Sequence, residues 1–174
     1  MEVPIQHIIG TVCLIGLLVS VGLAYNIITD SAQTEVRQHQ LSQISQNVAL
    51  SLVEIVTLAN FGNSYNGTMT RSLNLPTDLA GKAYAVQICN DTSQQDNCFI
   101  KVYLAASPTI SATSIIPIQA SQSGVSLRTD SGALNENQNI TYGPVIYGGS
   151  NDTVVWAWKG SGTTWAGLGR LAGG

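Results

Sequence analysis

Residues 3–28, VPIQHIIGTVCLIGLLVSVGLAYNII, decide the fold of this 174-residue chain. The segment contains no Asp, Glu, Lys or Arg. It is longer than the roughly 20 apolar residues that a helix needs to cross a bilayer. The sequence therefore predicts a membrane-spanning helix at this position.

The helical pattern continues beyond the apolar run, because no Pro or Gly lies between Leu23 and Phe61. After the polar residues 30–40, apolar side chains recur at every third or fourth position, as expected for one side of a helix. These positions are Leu41, Ile44, Val48, Leu52 and Ile55. We predict one continuous helix that is about 85 Å long, at about 1.5 Å per residue.

Residues 48–58, VALSLVEIVTL, are apolar on more than one side of this helix. Water does not cover such a surface favourably, so either the C-terminal part of the chain or neighbouring copies of the helix must bury it. In the first half, Gly16, Ser20 and Ala24 lie four residues apart, a spacing of small residues that lets apolar helices approach closely. We expect helices to pack together through the following residues: Ile8, Val12, Ile15, Gly16, Val19, Ser20, Leu23 and Ala24.

The composition argues for a weakly charged domain outside the cytosol. Charged residues make up 10% of the chain and the formal net charge is −3, so the chain lacks the basic surface that nucleic acids require. Polar surface must come from Ser, Thr, Asn, Gln and Gly, a composition typical of extracellular domains. We expect no nucleic-acid partner.

After residue 70 the period of the apolar pattern changes to two. The runs AYAVQIC and CFIKVYLA at residues 83–89 and 98–105 predict a hairpin. Further strands are predicted at residues 114–120, 124–128, 139–147 and 153–159, and the Gly-rich tail is either a last strand or a loose end. The fold class is therefore α+β, with a long N-terminal hydrophobic helix followed by an all-β immunoglobulin-like sandwich or barrel-like domain. The predicted divisions are residues 1–60 for the helix, 61–70 for a hinge and 71–174 for the β domain.

Two cysteines and four asparagines are candidate sites of modification. Cys89 and Cys98 flank the predicted hairpin loop, so we predict a disulfide and an oxidising compartment or a hyperthermophilic source. Sequons in predicted loops or strand edges make four asparagines candidates for glycosylation. These are Asn66, Asn90, Asn139 and Asn151.

The sequence lacks the parts of an enzyme. His7 and His39 are the only histidines, and both belong to the helix, so no Ser-His-Asp arrangement can be assembled in the β domain. Two cysteines without a nearby His or carboxylate cluster do not make a zinc site. In VVWAWK, Val154, Trp156 and Trp158 share one face of a strand, and we interpret this face as part of the core. We expect no catalytic residue, no metal and no cofactor.

This layout resembles the archaeal type IV pilin and archaellin superfamily. The resemblance consists of a charge-free N-terminal helix, an amphipathic continuation and a Ser/Thr/Asn-rich β domain, together with LNLPTDLAGKAYAVQI at residues 73–88. It implies that a peptidase removes a short basic leader, with Met1 as either the processed or the translated end, and that the subunit is stored in the membrane. It further implies that assembly machinery then moves the helix into the core of a filament.

There are three functional hypotheses, of which the resemblance implies the first two. The first is a structural subunit of an extracellular archaeal pilus, a helical homopolymer with a role in adhesion or surface attachment. The second is an archaellin, the subunit of a motility filament. The third is a single-span membrane protein whose β domain binds a cell-surface partner without polymerising. Lipid-embedded monomers would distinguish the third hypothesis from the first two.

Overall fold

The described part of the chain forms one long helix and two β-sheets. The computed structural model describes residues 5–61, 67–91, 97–118, 124–134, 139–150, 152–160 and 162–171. Helix α1 is Ile5–Phe61. The strands of the described residues are β1 (Gly67–Ser72), β2 (Tyr84–Asp91), β3 (Asn97–Leu104), β4 (Ser107–Ile116), β5 (Val125–Leu127), β6 (Gly132–Leu134), β7 (Ile140–Tyr142), β8 (Val145–Tyr147), β9 (Thr153–Gly160) and β10 (Thr163–Leu171). The predicted α+β class is confirmed.

The chain divides into two units, Met1–Arg37 and Gln38–Gly174. The boundary lies inside α1, so the second half of the helix packs as part of the β unit. This packing follows from the sequence pattern, because the apolar stripe of the helix begins at Leu41.

The strands of the β unit form two sheets. One has the order β1-β9-β10-β7-β6, with β5 also paired to β10, and the other has the order β4-β3-β2-β8. All pairings are antiparallel except that between β5 and β10. Two separate sheets fit the sandwich alternative of the sequence prediction.

The second half of α1 shares one hydrophobic core with both sheets. Leu41, Val48 and Leu52 of the helix are fully buried in this core. The four-stranded sheet contributes residues such as Val86 and Ile100, and the six-stranded sheet contributes residues such as Val155 and Leu168. The requirement that residues 48–58 be covered is therefore met in part by the C-terminal domain of the same chain.

Polar contacts also connect this half of the helix to the sheets. The hydroxyl of Thr164 on β10 donates a hydrogen bond to Asn60 Oδ1 at 2.7 Å. Glu54 forms an ion pair with Arg71 of β1, and both side chains are about half exposed. The exposed ion pair contributes little to stability, about 0–1 kcal/mol, so the apolar core accounts for most of the attachment.

The six-stranded sheet carries a second, smaller apolar cluster on its other face. Val155, Ala157, Ala166 and Leu168 face the main core. Strand alternation places their neighbours on the opposite face, where Ile140, Val154 and Trp156 are buried. Partly buried side chains pack around them, namely Leu134, Tyr142, Trp158 and Trp165. The prediction that Val154, Trp156 and Trp158 share one face is confirmed.

The predicted disulfide between Cys89 and Cys98 is wrong. In the β2–β3 hairpin Cys89 pairs with Phe99 and Cys98 pairs with Asn90, so the two cysteines are offset by one residue. Successive side chains of a strand point to opposite faces, which places Cys98 in the core and Cys89 on the outer face. Their Cβ vectors point apart and no disulfide joins them. Burial raises the pKa of the Cys89 thiol, and the nearby Lys101 opposes this shift.

Candidate functional site: the apolar half of the helix

The first half of α1 exposes apolar side chains around its whole circumference. Between residues 8 and 28 the large apolar side chains are 55–69% exposed. Long runs of exposed apolar residues are unusual on soluble proteins and indicate a surface that lipid or another protein covers. Residues 8–28 are therefore the candidate functional site.

Every residue predicted to take part in helix packing lies on this exposed surface. Ile8, Val12, Ile15, Val19 and Leu23 follow one another at intervals of three or four residues, which places them on one stripe of the helix. The structure therefore brings these five side chains together as a continuous apolar strip.

The ridge of small residues lies beside this strip. A Cβ atom added at Gly16 would meet nothing within 4 Å, so the surface above this glycine is open. Ser20 Oγ donates a hydrogen bond to the carbonyl oxygen of Gly16 at 2.8 Å, and Thr29 bonds to Tyr25 O in the same way. The Ser20 hydroxyl is therefore hydrogen-bonded within the helix, and Gly16 and Ala24 have no polar side chain. Burying this row of small residues in an apolar environment costs little free energy.

The helix is long and apolar enough to cross a membrane, by length and composition, over Ile8–Phe61 of the described residues. Lipid is therefore one environment that would satisfy the first half of α1, because a helix makes all its backbone hydrogen bonds internally. The sequence prediction of a spanning segment is consistent with this property.

The second half of α1 also has an exposed apolar surface, which the sequence pattern indicated. Leu50, Leu58 and Phe61 are 68%, 56% and 91% exposed, on the side of the helix that faces away from the buried Leu52. The signal was present in residues 48–58, which are apolar on more than one side. The sequence left two ways of burying this segment open, by the C-terminal part of the chain or by neighbouring copies of the helix. One side of the segment packs on the β unit, and the other side is exposed and available to neighbouring copies.

Two of the four candidate glycosylation sites lie in the described part of the chain. Asn90 and Asn139 are both exposed, as an acceptor asparagine must be. Asn66 and Asn151 lie outside the described residues. Glycosylation stays a prediction at all four positions.

The described residues contain no group of three or more His, Cys, Asp or Glu side chains that could hold a metal ion. His39 is exposed on the helix. The side chain of His7 lies outside the part of the structure that is described.

No protein-family model, curated protein or solved structure matches the chain. The family comparison therefore depends on architecture alone: a long N-terminal apolar helix followed by a β domain, which is compatible with a pilin-like fold.

Proposed function

We propose that the chain is a structural subunit of an extracellular archaeal type IV pilus, which polymerises through its N-terminal helix and serves in adhesion or surface attachment. The observation that carries this proposal is the contrast within α1. Residues 8–28 are apolar and exposed all round, whereas one side of residues 41–59 is buried by the β unit of the same chain. A subunit of this kind needs a second environment chiefly for its first half.

Two environments can supply that covering, and the proposal uses them in succession. Before assembly the membrane holds residues 8–28, and in the filament the same helices from other subunits surround them. Burial of a Leu, Ile or Val side chain contributes about 1.5–3 kcal/mol relative to exposure to water. Exposure of residues 8–28 to water is therefore unfavourable, and both states avoid it. A contact between one surface and a different surface of the next subunit builds a helical filament when its rotation does not close into a ring.

Transfer from lipid to a bundle of helices gains little hydrophobic energy, because lipid tails are as apolar as leucine. Close packing must then supply the preference for the filament. The ridge of Gly16, Ser20 and Ala24 is a surface on which two helix backbones can approach closely. The proposal therefore assigns assembly to this ridge and membrane storage to the general apolarity of the segment.

Negative-stain electron microscopy of material sheared from cells, with mass spectrometry of its peptides, tests the proposal. We expect thin, uniform filaments composed of this chain. A chain that stays with the membrane fraction and occurs in no filament would overturn the proposal in favour of a membrane-anchored β domain. Filaments that co-purify with motor components would indicate an archaellin instead.

A matched pair of variants tests the role of the ridge. Gly16→Leu places a large side chain on the ridge, whereas Gly10→Leu adds the same side chain on another side of the helix, and both preserve the apolarity that membrane insertion needs. We expect the first variant to remain in the membrane fraction without filaments and the second to assemble. Equal assembly of the two variants would contradict the assignment of packing to this ridge.

A further inference from the structure

The β unit contains a cavity of about 310 Å³ on the face of the six-stranded sheet that lies away from the main core. This volume falls at the lower end of the range of about 300–1,000 Å³ that is usual for small-molecule sites. The cavity is lined by three tryptophans, a tyrosine, an arginine and two aliphatic side chains: Trp156, Trp158, Trp165, Tyr142, Arg128, Ala133 and Leu134. All of these side chains belong to the β unit, whereas polymerisation is assigned to residues 8–28 of α1.

Strand register brings these side chains together from distant parts of the sequence. Trp158 of β9 lies directly opposite Trp165 of β10. Arg128 follows β5, and its backbone N–H donates a hydrogen bond to the carbonyl of Ala166 at 2.8 Å, which places it beside Trp165. Directly opposed residues share one face of a sheet, so the two indoles form neighbouring walls of the cavity.

Glycines make room for the aromatic rings to lie against the backbone. A Cβ atom at Gly160 would overlap the ring of Trp158, and one at Gly132 would overlap the ring of Tyr142. At Gly167 the added Cβ would lie 3.0 Å from Trp156 Cζ2. The aromatic rings therefore pack directly on the backbone of these glycines. The cavity lies on the other side of the rings.

The three tryptophans differ in their roles. Trp156 is 1% exposed, its indole N–H donates a hydrogen bond to Leu168 O at 3.2 Å, and its ring lies 5.1 Å from that of Tyr142. It supports the floor of the cavity. Trp158 and Trp165 are only partly buried, so part of each indole is accessible from the cavity.

Arg128 gives the cavity a fixed positive charge and hydrogen-bond donors. Its guanidinium lies 4.0 Å from the centre of the Trp165 ring and forms an ion pair with Asp130 at 3.0 Å. A guanidinium has five N–H donors, and one carboxylate oxygen does not use them all. A cation already stacked on Trp165 disfavours a second cation, so an ammonium ligand does not suit this site.

We propose that this cavity binds a pyranose sugar of a surface polysaccharide. The C–H groups on one face of a pyranose are slightly positive and suit the negative face of an indole, while ring hydroxyls or a uronic carboxylate accept hydrogen bonds from Arg128. Trp158 and the part of the Trp165 indole that Arg128 does not cover supply the stacking surface, and Arg128 sets the orientation. The proposal does not depend on polymerisation, although on a filament such a site would mediate attachment to polysaccharide.

NMR titration of the ¹⁵N-labelled full chain tests the proposal. The chain is held in a polyoxyethylene detergent, which carries neither a sugar nor an ammonium group. The three indole N–H signals are assigned with Trp→Phe variants, and methyl glucoside, galactoside, mannoside and glucuronoside are added in turn. We expect at least one pyranoside to shift the signals of Trp158 and Trp165, with a Kd on the order of 1 mM as judged from the ligand efficiency of small ligands.

Three variants connect binding to the cavity. We expect Trp165→Thr to weaken binding by about tenfold or more through the loss of stacking. Arg128→Gln should also weaken binding, with only a small effect on folding, because the Arg128 side chain is 36% exposed and its ion pair with Asp130 is exposed too. Tyr147→Ala is the matched control, since Tyr147 is an aromatic residue on β8 of the other sheet and is 57% exposed. Thermal unfolding of each variant establishes that the fold is retained.

Several outcomes would overturn the proposal. These are the absence of any indole shift with all four pyranosides at 50 mM, binding that survives both Trp165→Thr and Arg128→Gln, or tighter binding of tetramethylammonium than of any pyranoside. Indole shifts that appear on concentrating the protein without sugar would instead assign the cavity to a second copy of the chain. None of these outcomes affects filament formation, so the two proposals fail independently.

Discussion

The two halves of α1 are continuous in the backbone but differ in what covers them. In residues 8–28 apolar side chains occur on all sides and all are more than half exposed. In residues 41–59 the β unit buries one broad apolar side, while Leu50 and Leu58 remain exposed on the opposite side. An all-round apolar pattern needs lipid or other helices, whereas a one-sided pattern can be satisfied by a single folded domain.

The largest expected effect is on the free energy of unfolding, when leucines in the buried, exposed and membrane-type parts of α1 are replaced by alanine. Leu52 is fully buried, so Leu52→Ala should lower the free energy of unfolding of the β unit by about 2–5 kcal/mol through the cavity it creates. Leu50→Ala, two residues away and 68% exposed, should cost less than about 0.5 kcal/mol. Leu18→Ala in the exposed half should leave the unfolding free energy unchanged.

Denaturant titration in detergent, followed by tryptophan fluorescence, measures these differences. All three tryptophans belong to the β unit, so the signal reports on that unit alone. A loss for Leu18→Ala comparable to that for Leu52→Ala would show that the two halves are not independent.

Glycines give the second contrast, because alanine should act in opposite directions in the two units. At Gly167 a Cβ would lie 3.0 Å from the buried Trp156, so Gly167→Ala should destabilise the β unit by about 1–3 kcal/mol. At Gly16 a Cβ meets nothing, so Gly16→Ala should favour the isolated helix by about 0.5–1 kcal/mol. Thermal unfolding by circular dichroism measures the first effect, and helix content in detergent measures the second. Equal effects at the two positions would contradict this account.

The smallest expected effect concerns Tyr84, which lies in the core that covers the second half of the helix. Burial raises the pKa of Tyr84 from 10.0 to about 12, and its hydroxyl donates a hydrogen bond to Pro76 O at 2.7 Å. Because the folded-state pKa is the higher one, the phenol contributes its full stability below about pH 10, and this contribution is lost as the pH rises towards 12. Tyr84→Phe should cost about 1 kcal/mol at neutral pH and remove this loss.

Absorbance at 295 nm follows the ionisation of the six tyrosines. The last step of the titration should disappear in Tyr84→Phe and persist in the control Tyr147→Phe, whose phenol is exposed. A last step that persists in Tyr84→Phe would assign it to another tyrosine.

Much of this fold was predictable because its strongest signals are local. The continuation of the helix beyond the apolar run follows from the absence of Pro and Gly between Leu23 and Phe61, and the hairpin of β2 and β3 follows from strict alternation. The predicted strand at residues 139–147 is instead two strands, because the chain passes from one sheet to the other at Gly143 and Pro144. β4 begins at Ser107, earlier than the predicted residue 114, and Pro108 is tolerated there because β4 is an edge strand.

Features that depend on register were not predictable from local pattern. The disulfide prediction was wrong because the two cysteines are one residue out of register in the strand pairing. The positions of Cys89 and Cys98 in the sequence do not reveal which residues pair across the hairpin. Likewise, the sequence indicated that Trp156 and Trp158 share one face of a strand. It did not indicate that Trp165 lies opposite Trp158, because this position depends on how β9 pairs with β10. A tryptophan in each of two adjacent strand-like runs was the only available signal for the cavity.

The position of β10 has a consequence for how the chain is made. This last described strand pairs with β5, β7 and β9, so the six-stranded sheet cannot form until residues 163–171 have been synthesised. The covered half of α1 is synthesised more than a hundred residues earlier. Until β10 is made, its core lacks Leu168 and Ala166, which pack in the same cluster. Contacts of such large sequence separation form slowly. The emerging polypeptide therefore carries an uncovered apolar helix throughout its translation, and an early membrane anchor or a holding chaperone would protect that helix from aggregation during this interval.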